Sequence, residues 1–78
     1  MADFAERIKE LRRKNGMTQA ALGAIIGIRP DGICVYEKGK HYPEVRNLII
    51  LADYFGVSLD YLVGRTDDPE VHQLEPRE

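Results

Sequence analysis

The stretch Met17 to Gly39 reads MTQAALGAIIGIRPDGICVYEKG, and it leaves the backbone little choice. Thr18 is placed to cap a helix, Gly27 to close it in the left-handed conformation, Pro30 to open a second helix at its first position, and Gly39 to stop that one. Two short helices joined by a tight turn follow. Leu22, Ile25 and Ile26 recur at i, i+3, i+4, and Ile33 and Tyr36 at i, i+3, so each helix has one stripe to bury. Helices of this length do not persist alone in water, so the rest of the chain has to act as their scaffold.

A chain of 78 residues is expected to form one domain. At that size only about 60% of the unfolded surface is buried, so every apolar stripe has to be used. Hydrophobic content of 44% with 31% charge excludes wholesale disorder, and the apolar run Leu48 to Ala52 is far too short to cross a bilayer. The charged opening MADFAERIKELRRKNG is unlike a signal peptide, and the single cysteine, Cys34, has no internal disulfide partner. A cytoplasmic location is expected. The formal net charge of −2 hides an asymmetry, because residues 1–50 hold nine Lys or Arg against six Asp or Glu, while residues 51–78 hold two against seven. The helical pair thus lies in a basic half, which matters more to a polyanionic partner than the sum.

In chain order, Asp3 with Glu6 three positions on predicts a helix from Phe4 to Asn15, stopped by Gly16. Phe4, Ile8, Leu11 and Ala5 form its buried stripe, and Lys9, Arg13 and Lys14 face solvent. Arg12, at the stripe's edge, reads either as a surface charge or as a side chain turned inward, and the residues alone lean to the surface. The pair described above then runs from Gln19 to Ile26 and from Pro30 to Lys38. Gly23 costs about 1 kcal/mol of helix propensity against alanine, which points to close packing there. A fourth helix from Glu44 to Phe55 carries Val45, Leu48, Ile49, Leu51, Ala52 and Phe55 over a broad face and is expected to be central to the core. Ser58 caps a short fifth helix, Leu59 to Val63, in which Leu59 and Leu62 close the core and Gly64 is the stop. From Arg65 the sequence RTDDPEVHQLEPRE loses all periodicity. The division expected is therefore a helical domain over 1–64 and an acidic, flexible tail over 65–78, with Asp67, Asp68 and Pro69 as a solvated turn.

Three fragments in order, RIKELRRKNGMTQAAL, YEKGK with Pro43 after it, and LADYFGVSLDYLVGRTDDP, resemble the Cro/C1-type helix-turn-helix regulators, also called the xenobiotic-response-element type. The resemblance runs from Phe4 to Pro69. It implies an all-α, compact five-helix domain like that of lambda repressor, acting as a homodimer on a two-fold double-stranded DNA operator with the third helix in the major groove. It also implies roles for residues. Gln19 matches the glutamine that starts the second helix and holds a phosphate, and Thr18, Lys38, Lys40 and His41 fall at backbone-approaching positions. Arg12 and Glu37 match an ion pair beneath the recognition helix, which overrules the surface reading of Arg12. Helix N-termini two and four offer N–H groups to phosphates.

The recognition segment departs from the family's usual hydrogen-bonding residues, reading Arg29 Pro30 Asp31 Gly32 Ile33 Cys34 Val35. With Ile33 inward, Asp31 and Val35 fall nearly opposite it. Asp31 only accepts and suits a cytosine or adenine amino group, Val35 suits a thymine methyl, and Arg29 suits a guanine edge or a phosphate. The donor-poor helix leaves two functions open. One is a sequence-specific transcriptional regulator, a repressor or autoregulator, with Arg29, Asp31 and Val35 as base readers. The other keeps the fold but uses the third helix, through Val35 and Cys34, as a protein-binding face.

Nothing in the sequence points to an enzyme, a cofactor, a metal or a small-molecule ligand. His41 and His72 have no ligand-spaced neighbours, and Cys34 reads as a small helix residue. Tyr54, Tyr61 and Val63 are the expected dimer contacts.

Overall fold

A computed structural model of the chain describes residues 2–71. His72 and the remainder of the expected tail to Glu78 lie outside the described residues. Five helices follow one another: α1 (Phe4–Lys14), α2 (Gln19–Ile26), α3 (Pro30–Glu37), α4 (Val45–Phe55) and α5 (Leu59–Leu62). Each agrees with its expected span to within one residue at either end.

The caps explain that agreement. Asp3 Oδ1 accepts from the N–H of Glu6, Thr18 Oγ1 from Ala21 and Ser58 Oγ from Tyr61, all at 3.0 Å. Gly27 and Gly56 end α2 and α4 with φ of 71° and 68°, a conformation that is costly for any residue with a Cβ. Phe4, Ile8, Leu22, Ile33, Leu51 and Leu62 are fully buried and bring one anchor or more from every helix into one core. Helix α3 packs on α2 and α1, whereas α4 packs on α2 and α5, and α5 closes back onto α1.

Three expectations need correction. Helix α4 is not the centre of the core. Only Leu51 and Ala52 are buried, while Val45 and Ile49 stay exposed, because α4 is packed by α2 and α5 and its apolar face is wider than they cover. Leu59 does not close the core either: at 37% exposure it stands on the surface, and only Leu62 is inside. The flexible tail expected from Arg65 is, over its first five residues, tied to the body. The Thr66 carbonyl accepts from Arg7 at 2.9 Å, Asp67 pairs with Arg7 at 2.6 Å, and the Pro69 carbonyl accepts from the N–H of Ser58 at 2.9 Å. Asp67 is therefore an anchor as well as part of a solvated turn, since its side chain stays 70% exposed.

Gly23 is explained by a close approach. A Cβ there would collide with the backbone carbonyl of Ile28, whose own N–H donates back to the Gly23 carbonyl at 2.9 Å. The approach is made by the turn between α2 and α3, not by a neighbouring helix.

Candidate nucleic-acid interface

The third helix is held by charge at its C-terminal end. Arg12 Nε donates to Glu37 Oε2 at 2.6 Å and Arg12 Nη2 to Oε1 at 3.0 Å, a two-pronged pairing that fixes direction as well as distance. The third prong, Nη1, donates to the Met17 carbonyl at 2.8 Å, and Gln19 Nε2 reaches Glu37 Oε1 at 3.3 Å. Arg12 from α1 and Gln19 from the first turn of α2 thus converge on the last residue of α3, while the Met17 carbonyl in the loop between them holds Arg12. Both charged side chains are largely withdrawn from water, with 12% and 5% of their surface exposed. The Arg12 guanidinium is held above its ordinary pKa. The hydrogen bond to Glu37 contributes most, burial opposes it, and attraction to the Glu37 charge adds to it. A raised arginine pKa adds stability that is full below the unfolded value and is lost only as pH climbs through the folded one, so the guanidinium keeps its charge across neutral pH and gives it up only in strong alkali.

The opposite face of α3 is open. The side chains of Arg29 and Asp31 are 89% and 80% exposed, with Nε and Oδ1 3.6 Å apart, a solvated pair that contributes little to stability. Lys38, Lys40, His41 and Thr18 are also exposed, whereas Val35 is half-buried, so the expectation of a fully outward Val35 is only half met. Thr18 spends its oxygen lone pair on the α2 cap and keeps its O–H, while Gln19 points its amide inward to Glu37. Helices α3 and α4 both begin without a side-chain cap, since Arg29 and Glu44 make no capping bond. Pro30 removes one N–H at the start of α3, which leaves the first turn of α4 the better supplied with donors.

Sequence reasoning passed over Arg7, which is the buried charge of the described residues. Its Nη1 donates to the carbonyls of Tyr61 and Thr66, both at 2.9 Å, its Nη2 pairs with Asp67, and its guanidinium carbon lies 3.8 Å from the centre of the Tyr61 ring. The signal was present. Phe4, Arg7, Ile8 and Leu11 stand at i, i+3, i+4, i+7, so Arg7 occupies a core position of α1. Tyr61 is consequently committed on one face to Arg7. Val63 is half-buried, and Tyr54 is exposed with its ring edge-on to Phe55 at 5.2 Å. Among the described residues no group of three or more His, Cys, Asp or Glu is placed to hold a metal, and no helix is long and apolar enough to cross a membrane.

A family model described as helix-turn-helix matches residues 8–62, well over half of the chain and all of the Arg12–Gln19–Glu37 network. The chain belongs to the Cro/C1-type helix-turn-helix family. Its relatives in that family are transcriptional regulators, not enzymes. It is similar to the uncharacterized HTH-type transcriptional regulator YobD of Bacillus subtilis, 36% identical over 86% of this chain and 60% of YobD. It is also similar to RstR, the cryptic phage CTXphi transcriptional repressor of Vibrio cholerae, 35% identical over 88% of this chain and 62% of RstR. The chain therefore spans about three fifths of the length of the curated relatives it matches. Among solved structures, the P22 c2 repressor in complex with a synthetic operator superposes with a TM-score of 0.74, at 33% identity, over 81% of this chain and 96% of that one. The helix-turn-helix fold also occurs inside hydroxypropylphosphonic acid epoxidase from S. wedmorenis, with a TM-score of 0.69 and 30% identity. This chain spans only 32% of that enzyme, so the likeness carries the fold and not the chemistry.

Proposed function

We infer that the chain is a sequence-specific DNA-binding transcriptional regulator, a repressor or autoregulator, that lays α3 in the major groove of a two-fold operator as a homodimer. The observation that carries this reading is the lock of Arg12 and Gln19 on Glu37, which immobilises α3 from behind while its Arg29 and Asp31 side stays free. A helix reads base edges only if its approach is fixed to within a fraction of an ångström, and a buried bidentate pair supplies that rigidity. The likeness to a repressor solved on its operator supports the same docking.

In this reading Asp31 accepts from a cytosine or adenine amino group and Arg29 donates to a guanine edge or a phosphate. The uncovered part of Val35 meets a thymine methyl. Thr18, Lys38, Lys40, His41 and the second amide hydrogen of Gln19 follow the phosphates and set register. Tyr54 and Val63, with what Arg7 leaves of Tyr61, pair the two copies. A protein-binding role for α3 has less support, because Val35 and Cys34 are half-covered and the large exposed apolar side chains of the described residues, from Tyr42 to Val71, all lie outside α3.

Selection of duplexes from a random DNA pool, with wild type and Asp31→Ala in parallel, tests the assignment. The expected result is a two-fold site that relaxes at one symmetric pair of positions in the variant, with discrimination there falling by about 1–3 kcal/mol. No enriched site for either protein overturns the reading, and an identical site for both removes Asp31 from the base contacts.

A further inference from the structure

Tyr61 is held at two points by one side chain. Arg7 Nη1 donates to its backbone carbonyl at 2.9 Å, and the guanidinium carbon lies 3.8 Å from the centre of its ring. A carbonyl bond alone leaves the ring free to turn, and a ring contact alone leaves the helix free to roll. The two together fix both. That matters because α5 has little else to fix it: it is four residues long, too short to persist by its own hydrogen bonds, and of its side chains only Leu62 is buried. The segment beyond α5 completes the hold. Arg7 also donates to the Thr66 carbonyl and pairs with Asp67, and the Pro69 carbonyl accepts from the N–H of Ser58, where α5 begins. At the other end of α5 a Cβ on Gly64 would collide with the Ala2 carbonyl, so the turn is pressed onto the backbone just ahead of α1.

Stability alone does not ask for a charge at this position. Arg7 stands in the apolar stripe of α1, and an apolar side chain of similar volume often serves a buried site as well or better. What arginine adds is direction, because its planar fork fixes the acceptors it meets. We propose that Arg7 is a positioning residue for the homodimer: by orienting Tyr61 and keeping α5 from rolling, it presents the pairing surface of one copy in the register that the other requires. This rests on the homodimer reading given above. Tyr61 is half-buried, and with one ring face on Arg7 the remainder is what the second copy meets, while Val63 follows the roll of the same helix. The device reaches as far as the operator, since the pairing of the two copies sets the spacing of the half-sites. It is also separate from the lock on α3. Arg12 bonds Glu37 and Met17, Arg7 bonds Tyr61, Thr66 and Asp67, and no partner is shared, so each can be disturbed without the other.

Sedimentation of the full chain, run as a double-mutant cycle, tests the proposal. Arg7→Met and Tyr61→Leu are each expected to raise the dimer dissociation constant about tenfold, and the double variant no further, because both remove one device. Ile26→Val, which loosens the core within α2, is expected to leave the constant within about twofold at a temperature where circular dichroism shows the variants folded. Asp67→Ala, at a side chain 70% exposed, is expected to weaken pairing about threefold, and it carries the test should Arg7→Met not fold. An unchanged constant in Arg7→Met, or in Asp67→Ala where that variant stands in, overturns the proposal. So do additive effects of Arg7→Met and Tyr61→Leu, which would give the two residues separate roles, and an equal rise in Ile26→Val, which would reduce Arg7 to general stability. A wild type that stays monomeric at every concentration removes the homodimer reading together with this one. A dimeric wild type indifferent to Arg7 removes this one alone.

Discussion

Glu37 is the residue on which the orientation of α3 turns, because it is the shared acceptor of Arg12 and Gln19. Glu37→Ala leaves the Arg12 guanidinium in a dry site with only the Met17 carbonyl, and breaking a buried pair in this way costs about 3–5 kcal/mol. For a domain of this size that lowers the melting temperature by about 12 °C or more, which calorimetry reads directly. Asp31→Ala, at an exposed position, is expected to leave the melting temperature within about 2 °C, so the two variants separate folding from recognition. The contrast between Arg12 and Arg7 shows what sequence can carry at this scale. The residues alone left Arg12 on the surface, and only its place in the family motif turned it inward. Arg7 had no such motif, although it interrupts the apolar stripe of α1. Its acceptors are two carbonyls and a carboxylate more than fifty positions away, which no local pattern displays.

At the scale of elements the helix spans were legible because their ends are written in single residues: Asp3, Thr18 and Ser58 at the starts, Gly27 and Gly56 at the ends. What covers each face was less legible. The period of α4 locates an apolar face but not the width of its neighbours, and Val45 and Ile49 are left outside because α3 turns away to α1 and α2. The turn between α2 and α3 depends on the absence of one methyl group. Gly23→Ala gains about 1 kcal/mol of helix propensity but drives a Cβ into the Ile28 carbonyl, which only a backbone shift can relieve. A net loss of stability in urea is expected, accompanied by weaker operator binding, since the same turn sets the angle at which α3 leaves α2. A neutral or stabilising Gly23→Ala would show that the turn yields at little cost.

Over the whole molecule, charge is sorted: the basic half carries α1 to α3, and the acidic half carries α5 and the segment beyond it. Net charge is therefore a poor guide to DNA affinity, and salt dependence a good one. With Arg29, Lys38 and Lys40 of each copy displacing counterions, a dimer is expected to lose about a thousandfold in affinity between about 50 and 200 mM salt. Affinity that is flat with salt would remove these side chains from the phosphates. The two halves are joined by Arg7, which ties residue 7 to residues 61, 66 and 67. A chain ending at Gly64 loses two of the three acceptors of that buried guanidinium, so it is expected to melt well below a chain ending at Val71, with the difference reduced by Arg7→Met. A buried arginine that grips the polypeptide just past the last helix works as a mooring. A reporter or a second module joined after Val71 sets out from a point fastened to α1 and α5, and not from a free swivel at Gly64. Linker lengths for tethered copies are to be measured from there.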